Sequence, residues 1–266
     1  MKLQDFSLPS IPLNTLRFSE SIMEDWCRLF PSHHFSPAII DLHQLQRDWP
    51  RTAVITESAG LLTYWEREKI SSFKRDKRFY EWLGGRLAAK LAVMRQLGLD
   101  HTPSTLSELE IRNSESGRPW LSAPKTAPTT EPVEISISHS GRYGLAVAAG
   151  CPCGIDIQED RDSLTRVRDH FCEDAEEAIM ADLFPAIDTQ LRLNLLWAAK
   201  EAVKKALSST KMPAFLDIEL LSSSSAANTT GSLKFSIYSN SHNGQLVSAL
   251  CGLKETYGLA LCLIDK

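Results

Sequence analysis

Twice along this chain a helical stretch runs into a set of short strands, and that repeated order constrains the fold more than any other feature. The first helical pattern covers 63–99. Its part 75–99 carries apolar residues at positions 79, 83, 87, 91 and 94, close to a 3.6-residue period. Gly98 supplies a stop signal. Strand-like composition follows at 109–112, 133–138 and 143–149, with Ser140-Gly141-Arg142 reading as the turn between the last two. A short strand at 154–157 then precedes helical segments at about 163–184 and 189–208. Three further strands, 233–238, 246–251 and 257–263, read as an antiparallel meander. The predicted class is α+β, with two similar halves, 1–153 and 154–266, each a small antiparallel sheet with packed helices. No repeated sequence is detectable between them.

The remaining segments are less regular. Apolar patches at 38–40 and 53–55 have strand composition, and Trp26, Phe30 and Trp49 point to ordered structure before the first helix. Segment 122–132 is rich in Pro, Thr and Ala and reads as a mobile loop. Segment 222–231 is of low complexity and reads as a second flexible loop. The formal net charge of -4 implies no broad basic face, so nucleic acid is not an expected partner. The opening residues have no leader-like apolar run, and no stretch approaches the ~20 apolar residues of a membrane span. A cytoplasmic protein is the expectation. The cysteines at 27, 151, 153, 172, 251 and 262 are scattered in a chain too long for a small disulfide scaffold. Cys151 and Cys153 stand too close for a zinc knuckle, and buried or half-buried free thiols are expected.

Several polar residues sit where burial makes them costly. Asp156 interrupts the apolar run Gly154-Ile155-Asp156-Ile157, where a carboxylate needs a partner or a cation. Glu201 lies inside an apolar helix beginning near Leu193. Two acids from different elements, with phosphate oxygens and water, suit Mg2+. Each acid taken singly also reads as half of a salt bridge, Glu201 with Lys205 at i+4. His139 closes a strand between Ser138 and Ser140, where an imidazole and a hydroxyl can bind a phosphate or hold the local structure. Arg118 lies in a glycine-proline turn, and Lys69, Arg118 and Lys205 read equally well as solvated charges.

Taken in order, Gly117-Arg118-Pro119-Trp120-Leu121, Ile135-Ser136-Ile137-Ser138-His139-Ser140, Gly154-Ile155-Asp156-Ile157 and Trp197-x-x-Lys200-Glu201-x-x-x-Lys205 form a set that resembles the 4'-phosphopantetheinyl transferases of the larger, Sfp-type class. The resemblance covers about residues 60–220. It implies a pseudo-dimer of two α+β halves in one monomeric chain, with the site between them. It implies coenzyme A contacts at Lys69, Arg118, Ser138, His139 and Lys205, and metal ligands at Asp156 and Glu201. At the position two residues after the aspartate many members carry an acid; here it is Gln158, whose amide oxygen can ligate a metal or hold a water but brings no charge. Glu159 and Asp160 do not replace it, because Glu159 faces the other side of an extended strand.

The implied reaction is Mg2+-dependent transfer of the 4'-phosphopantetheine arm of coenzyme A to a serine of an acyl or peptidyl carrier protein, releasing adenosine 3',5'-bisphosphate. Glu201, Lys205 and His139 are the expected catalytic groups, with Glu201 as base for the serine, directly or through a water. Two competing classes stand beside this one: a non-catalytic module that binds coenzyme A or a carrier protein, and a diphosphate hydrolase with no protein acceptor.

Overall fold

Two five-stranded antiparallel sheets of identical strand order organise the chain. The computed structural model describes residues 26–28, 30–31, 33–100, 102–122, 132–160, 163–207, 212–227, 229–238 and 244–265. The first half runs β1 (Phe35–Asp41), α1 (Leu42–Asp48), α2 (Arg51–Glu57), α3 (Tyr64–Ser71), α4 (Asp76–Gln96), α5 (Pro103–Glu108), β2 (Glu110–Asn113), β3 (Pro119–Ser122), β4 (Glu134–Ser140) and β5 (Tyr143–Ala149). The second runs β6 (Cys153–Glu159), α6 (Ser163–Arg166), α7 (Asp174–Leu183), α8 (Thr189–Leu207), β7 (Ile218–Ala227), β8 (Thr230–Ile237), β9 (Gln245–Lys254) and β10 (Tyr257–Leu263). The sheets are ordered β1-β5-β4-β3-β2 and β6-β10-β9-β8-β7.

Each half has one long helix laid across its sheet. Helix α4 buries Phe79, Leu83, Leu87 and Leu91 against the first sheet, and α8 buries Leu195, Leu196, Ala199 and Val203 against the second. A third core joins the sheets, with Ile39, Leu145 and Val147 facing Ile155, Ile157, Leu259 and Leu261. Trp26 and Phe30 pack into this core, which accounts for their aromatic character ahead of the first strand. Helix α8 lies so close to β6 that a Cβ at Gly154 would fall 1.9 Å from the carbonyl oxygen of Ala202.

The halves share more than topology. Glu66 caps α3 by accepting the Thr63 N–H, accepts the Ile111 N–H at the start of the sheet, and pairs with Lys90 of α4 at 2.5 Å. Glu176 caps α7 by accepting the Glu173 N–H, accepts the Leu220 N–H, and pairs with Lys200 of α8 at 2.7 Å. The two lysines also donate to matching carbonyls, Lys90 to Leu61 and Leu106, Lys200 to Phe171 and Phe215. Each acid precedes its lysine by the same 24 residues. Strand pairing follows the same correspondence, with Asp41 opposite Tyr143 and Glu159 opposite Tyr257. Gly144 meets α4 at Gly84, and Gly258 meets α8 at Asn194. So few positions carry the duplication that it escapes a search for repeated sequence.

Three expectations are corrected. Residues 53–55 lie in helix α2, not a strand: Pro50 opens the helix, Val54 is buried and Ile55 is exposed. An apolar run of three residues does not distinguish the two periods. Segment 222–231 is not a loop. Its described residues supply the end of β7 and the start of β8, paired from Ser222 with Lys234 to Ser225 with Gly231. Strand β7 is at the sheet edge, where backbone pairing carries a serine-rich strand that needs no apolar outer face. Helical pattern 63–99 is two helices, broken where Ser72 caps α3. Residues 123–131 of the expected 122–132 loop lie outside the described residues. The cysteines are free thiols as expected, although Cys27 is exposed.

Candidate active site between the two halves

Strand β6 is the edge of the second sheet, so its outward N–H groups have no partner strand. Strand β4 of the first sheet supplies acceptors instead. The hydroxyls of Ser136, Ser138 and Ser140 accept from the N–H groups of Ile155, Ile157 and Glu159 at 3.1, 3.3 and 3.0 Å. The alternation of serines with apolar residues in 135–140 is thus a seam that locks the halves together, and it fixes Asp156 within reach of both.

Asp156 is 6% exposed. Its Oδ1 accepts from Ser138 Oγ at 2.6 Å and from Lys205 Nζ at 2.7 Å, while Lys205 also donates to the Ile155 carbonyl at 3.1 Å. Oδ2 accepts from none of the described residues. Glu201 stands one turn before Lys205 on α8, with Lys204 Nζ 3.5 Å from Oε1 and Oε2 unengaged among the described residues. Arg118 donates to Glu134 at 2.8 Å and to the Lys205 carbonyl at 3.2 Å, so it joins the first half to the C-terminal end of α8.

Two adjoining cavities border this cluster and share Gly117, Pro119 and Ile137 as wall. One, of about 250 Å3, is lined by Arg118, Ser136, Glu201, Lys205 and Met212. The other, of about 360 Å3, is lined by Phe73, Arg78, Glu81, Trp82, Arg86 and His139. Burial draws the His139 imidazole below its ordinary pKa; Glu81 opposes this, its Oε1 being 3.9 Å from Nδ1, and Arg78 and Lys205 reinforce it. Arg86 donates to the Ile111 carbonyl and to Asn113, and burial lowers its pKa to about 10. Its buried Nε–H has no partner among the described residues. A buried orphan donor in a cation-lined wall is suited to an anionic ligand.

Arg118, Glu201 and Lys205 line the smaller cavity and His139 the larger, while Ser138 and Asp156 are buried beside them, Asp156 bonded to both Ser138 and Lys205. Lys69 is exposed at the rim, 5.8 Å from the ring centre of Phe73, a residue of the larger cavity. Gln158 shares the strand face of Asp156, and its amide donates to the Glu159 carbonyl at 3.2 Å. Sequence reasoning missed the α4 wall formed by Arg78, Glu81, Trp82 and Arg86. Their spacing puts polar groups on one face of an otherwise buried helix, a stripe that periodicity alone would have exposed.

The correspondence between halves explains why the acids occur once. Register places Ala38 at the counterpart of Asp156, and the helix correspondence places Leu91 and Arg95 at those of Glu201 and Lys205. Arg95 donates to the Pro37 carbonyl at 2.9 Å, as Lys205 does to that of Ile155. The strand clamp is common to both halves; the acid pair belongs to the second alone.

A family model described as the 4'-phosphopantetheinyl transferase superfamily matches residues 152–262. Over 109 residues the chain is 33% identical to the holo-[acyl-carrier-protein] synthase of Anoxybacillus flavithermus, covering 41% of this chain and 86% of that relative. The chain belongs to the 4'-phosphopantetheinyl transferase superfamily. This transferase is also 33% identical over 150 residues to enterobactin synthase component D of Escherichia coli O157:H7, covering 55% of the chain and 63% of that protein. Among solved structures, a holo-(acyl-carrier-protein) synthase from Bacillus anthracis in complex with CoA (3',5'-ADP) is 28% identical, with TM-score 0.36, over 43% of this chain and 92% of that one. As a phosphopantetheinyl transferase the protein moves phosphopantetheine to carrier proteins. Its family match falls on the half that carries Asp156, Glu201 and Lys205, while the other half contributes Arg118, Ser138 and His139. None of its described helices is long and apolar enough to cross a membrane.

Proposed function

We propose that coenzyme A is the donor, that Mg2+ is required, and that adenosine 3',5'-bisphosphate is the leaving product. One observation carries the reading: Lys205, one turn after Glu201 on α8, holds the Asp156 carboxylate of β6 beside adjoining cavities walled by Arg78, Arg86, Arg118 and His139. Cations and donors suit the phosphates; the acids suit a metal and a proton.

Asp156 and Glu201 fit a divalent cation, since each keeps one carboxylate oxygen unengaged among the described residues. Among those residues no group of three or more His, Cys, Asp or Glu is placed for a metal, so a cation held by these two acids would take its other ligands from water and phosphate. When bound, Mg2+ neutralises charge on the diphosphate. The serine oxygen of the carrier bonds to the β-phosphorus as the bond from that phosphorus to the bridging oxygen breaks, and the bisphosphate departs with the electron pair. Glu201 takes the serine proton. Lys205 offsets the charge of the departing phosphate, and Arg118, Arg86 and His139 hold the nucleotide in place. A monomeric chain is proposed, with both halves of the site already present. Intact-mass analysis of several apo carriers after incubation with coenzyme A and Mg2+ tests the reading; no mass gain on any of them would reject it.

Alanine at His139 or Arg118 raises the KM for coenzyme A. Dephospho-coenzyme A, which lacks the 3'-phosphate, loses less with these variants than coenzyme A does. Equal relative losses with the two donors remove both residues from the 3'-phosphate site.

Gln158→Glu adds a negative charge on the face of β6 that bears Asp156, with little change of volume. The variant reaches half-maximal rate at lower Mg2+ than wild type, because this cation is held largely by charge. Superimposable Mg2+ titrations of the two folded proteins would show that position 158 plays no part in holding the metal.

A further inference from the structure

We propose that Asn113 is a positioning residue: it hangs the Gly117-Arg118-Pro119 turn from the buried guanidinium of Arg86 and so sets Arg118 for the phosphates. The inference rests on the coenzyme A donor proposed above. The turn needs an outside support. Strand β3 meets β4 through one residue pair among the described residues, Trp120 with Glu134, and meets β2 over a short ladder. In that ladder Pro119 stands opposite Asn113 and has no N–H to donate. Within the turn Ser114 donates to the Arg118 carbonyl at 2.8 Å and Gly117 to the Ser114 carbonyl at 2.9 Å, with Gly117 at φ 85°. These bonds shape the turn but do not fix it relative to α4.

Asn113 supplies the tie. Its Oδ1 accepts from Arg86 Nη2 at 3.0 Å, and its Nδ2 donates to the Gly117 carbonyl at 2.8 Å. A guanidinium only donates and a carbonyl only accepts, so one amide orientation satisfies both. Arg86 is a firm post. It is 3% exposed, donates also to the Ile111 carbonyl, and its guanidinium lies 4.8 Å from the ring centre of Trp82. Asn113 and Arg86 line the larger cavity and Arg118 the smaller, with Gly117 in the wall of both. A turn that drifts by an ångström carries Arg118 with it, and misplacement on that scale costs up to ~100-fold in rate. The amide bears no charge. Its loss therefore acts on a phosphate either by displacing Arg118 or by removing a direct contact.

Asn113→Ala, Arg118→Ala and the double variant form a cycle that separates these two routes. The first readout is the Kd of coenzyme A, with Mg2+, by titration calorimetry on the enzyme alone. The second is hydrogen–deuterium exchange over 114–118 without ligand. Asn113→Ala is expected to raise the Kd about 10-fold by itself, and less than about twofold once Arg118 is already alanine. Exchange over 114–118 is expected to speed up at least ~10-fold in Asn113→Ala. Asn113→Asp keeps an acceptor for Arg86 but has no N–H for Gly117, so its turn exchanges as fast as that of the alanine variant, and it decides the matter if the alanine variant does not fold. A full Kd loss from Asn113→Ala in the Arg118→Ala background would overturn the proposal in favour of a direct ligand contact. A wild-type Kd or wild-type exchange in the Asn113 variants would overturn it as well. Wild type that binds coenzyme A yet loads no carrier would reject the transfer reading and leave the cycle intact.

Discussion

Asp156→Ala and Glu201→Ala each abolish transfer in a chain that remains folded. The expectation comes from position and from unused bonding capacity. Glu201 of α8 lines the smaller cavity, Asp156 of β6 is joined to it through Lys205, and each acid keeps an oxygen unengaged among the described residues. Removal of a metal ligand forfeits on the order of several kcal/mol of transition-state stabilisation. At about 1.4 kcal/mol per factor of ten, a loss of ~4 kcal/mol is roughly a thousandfold in rate. Folding survives for local reasons. Lys205 is part-exposed and keeps the Ile155 carbonyl when Asp156 is removed, and Ser138 still accepts the Ile157 N–H. Glu201 is part-exposed and, among the described residues, makes only a long contact to Lys204. Carrier loading by intact mass, with circular dichroism on the same samples, measures both parts. Near-normal turnover of either variant at ordinary Mg2+ would remove that residue from the metal and base roles.

Lys200→Met is expected to have the largest effect on stability while touching no substrate. Lys200 is the lysine immediately before Glu201, yet it points away from the groove into the second core, fully buried, against Glu176. Burial lowers its pKa, and the paired carboxylate resists that shift. Removing one partner strands the other charge in an apolar setting at a cost of ~3–5 kcal/mol. At ~2–4 °C per kcal/mol for a chain of this size class, Tm falls by roughly 10 °C. Lys200→Met combined with Glu176→Gln loses less than the single variant, because no unpaired charge remains. Lys90→Met reproduces the effect in the first half, where the Glu66 pair is equally buried. Thermal melts of the four proteins provide the test, and a Tm change of about a degree for both single variants would refute the buried-charge account.

Much of this protein follows from local pattern. Apolar spacing marks α4 and α8 because an amphipathic helix writes its buried face into consecutive residues. Gly141 sits at positive φ in the tight β4–β5 turn, a conformation glycine enters freely, so that hairpin is legible too. The motif acids are conspicuous because a carboxylate in an apolar run demands a compensating partner. What the order of residues does not convey is which partner. Lys200 and Lys205 are five residues apart in one helix, yet one is a core strut for Glu176 and the other faces Asp156. Strand β3 hides behind the Gly-Arg-Pro turn, and β7 behind a run of serines, because an edge strand is defined by the backbone beside it. Ser138 looks like its neighbours Ser136 and Ser140 until β6 is laid against β4. The decisive contacts join residues tens of positions apart, and only packing of one half on the other assigns each proton and each charge its partner.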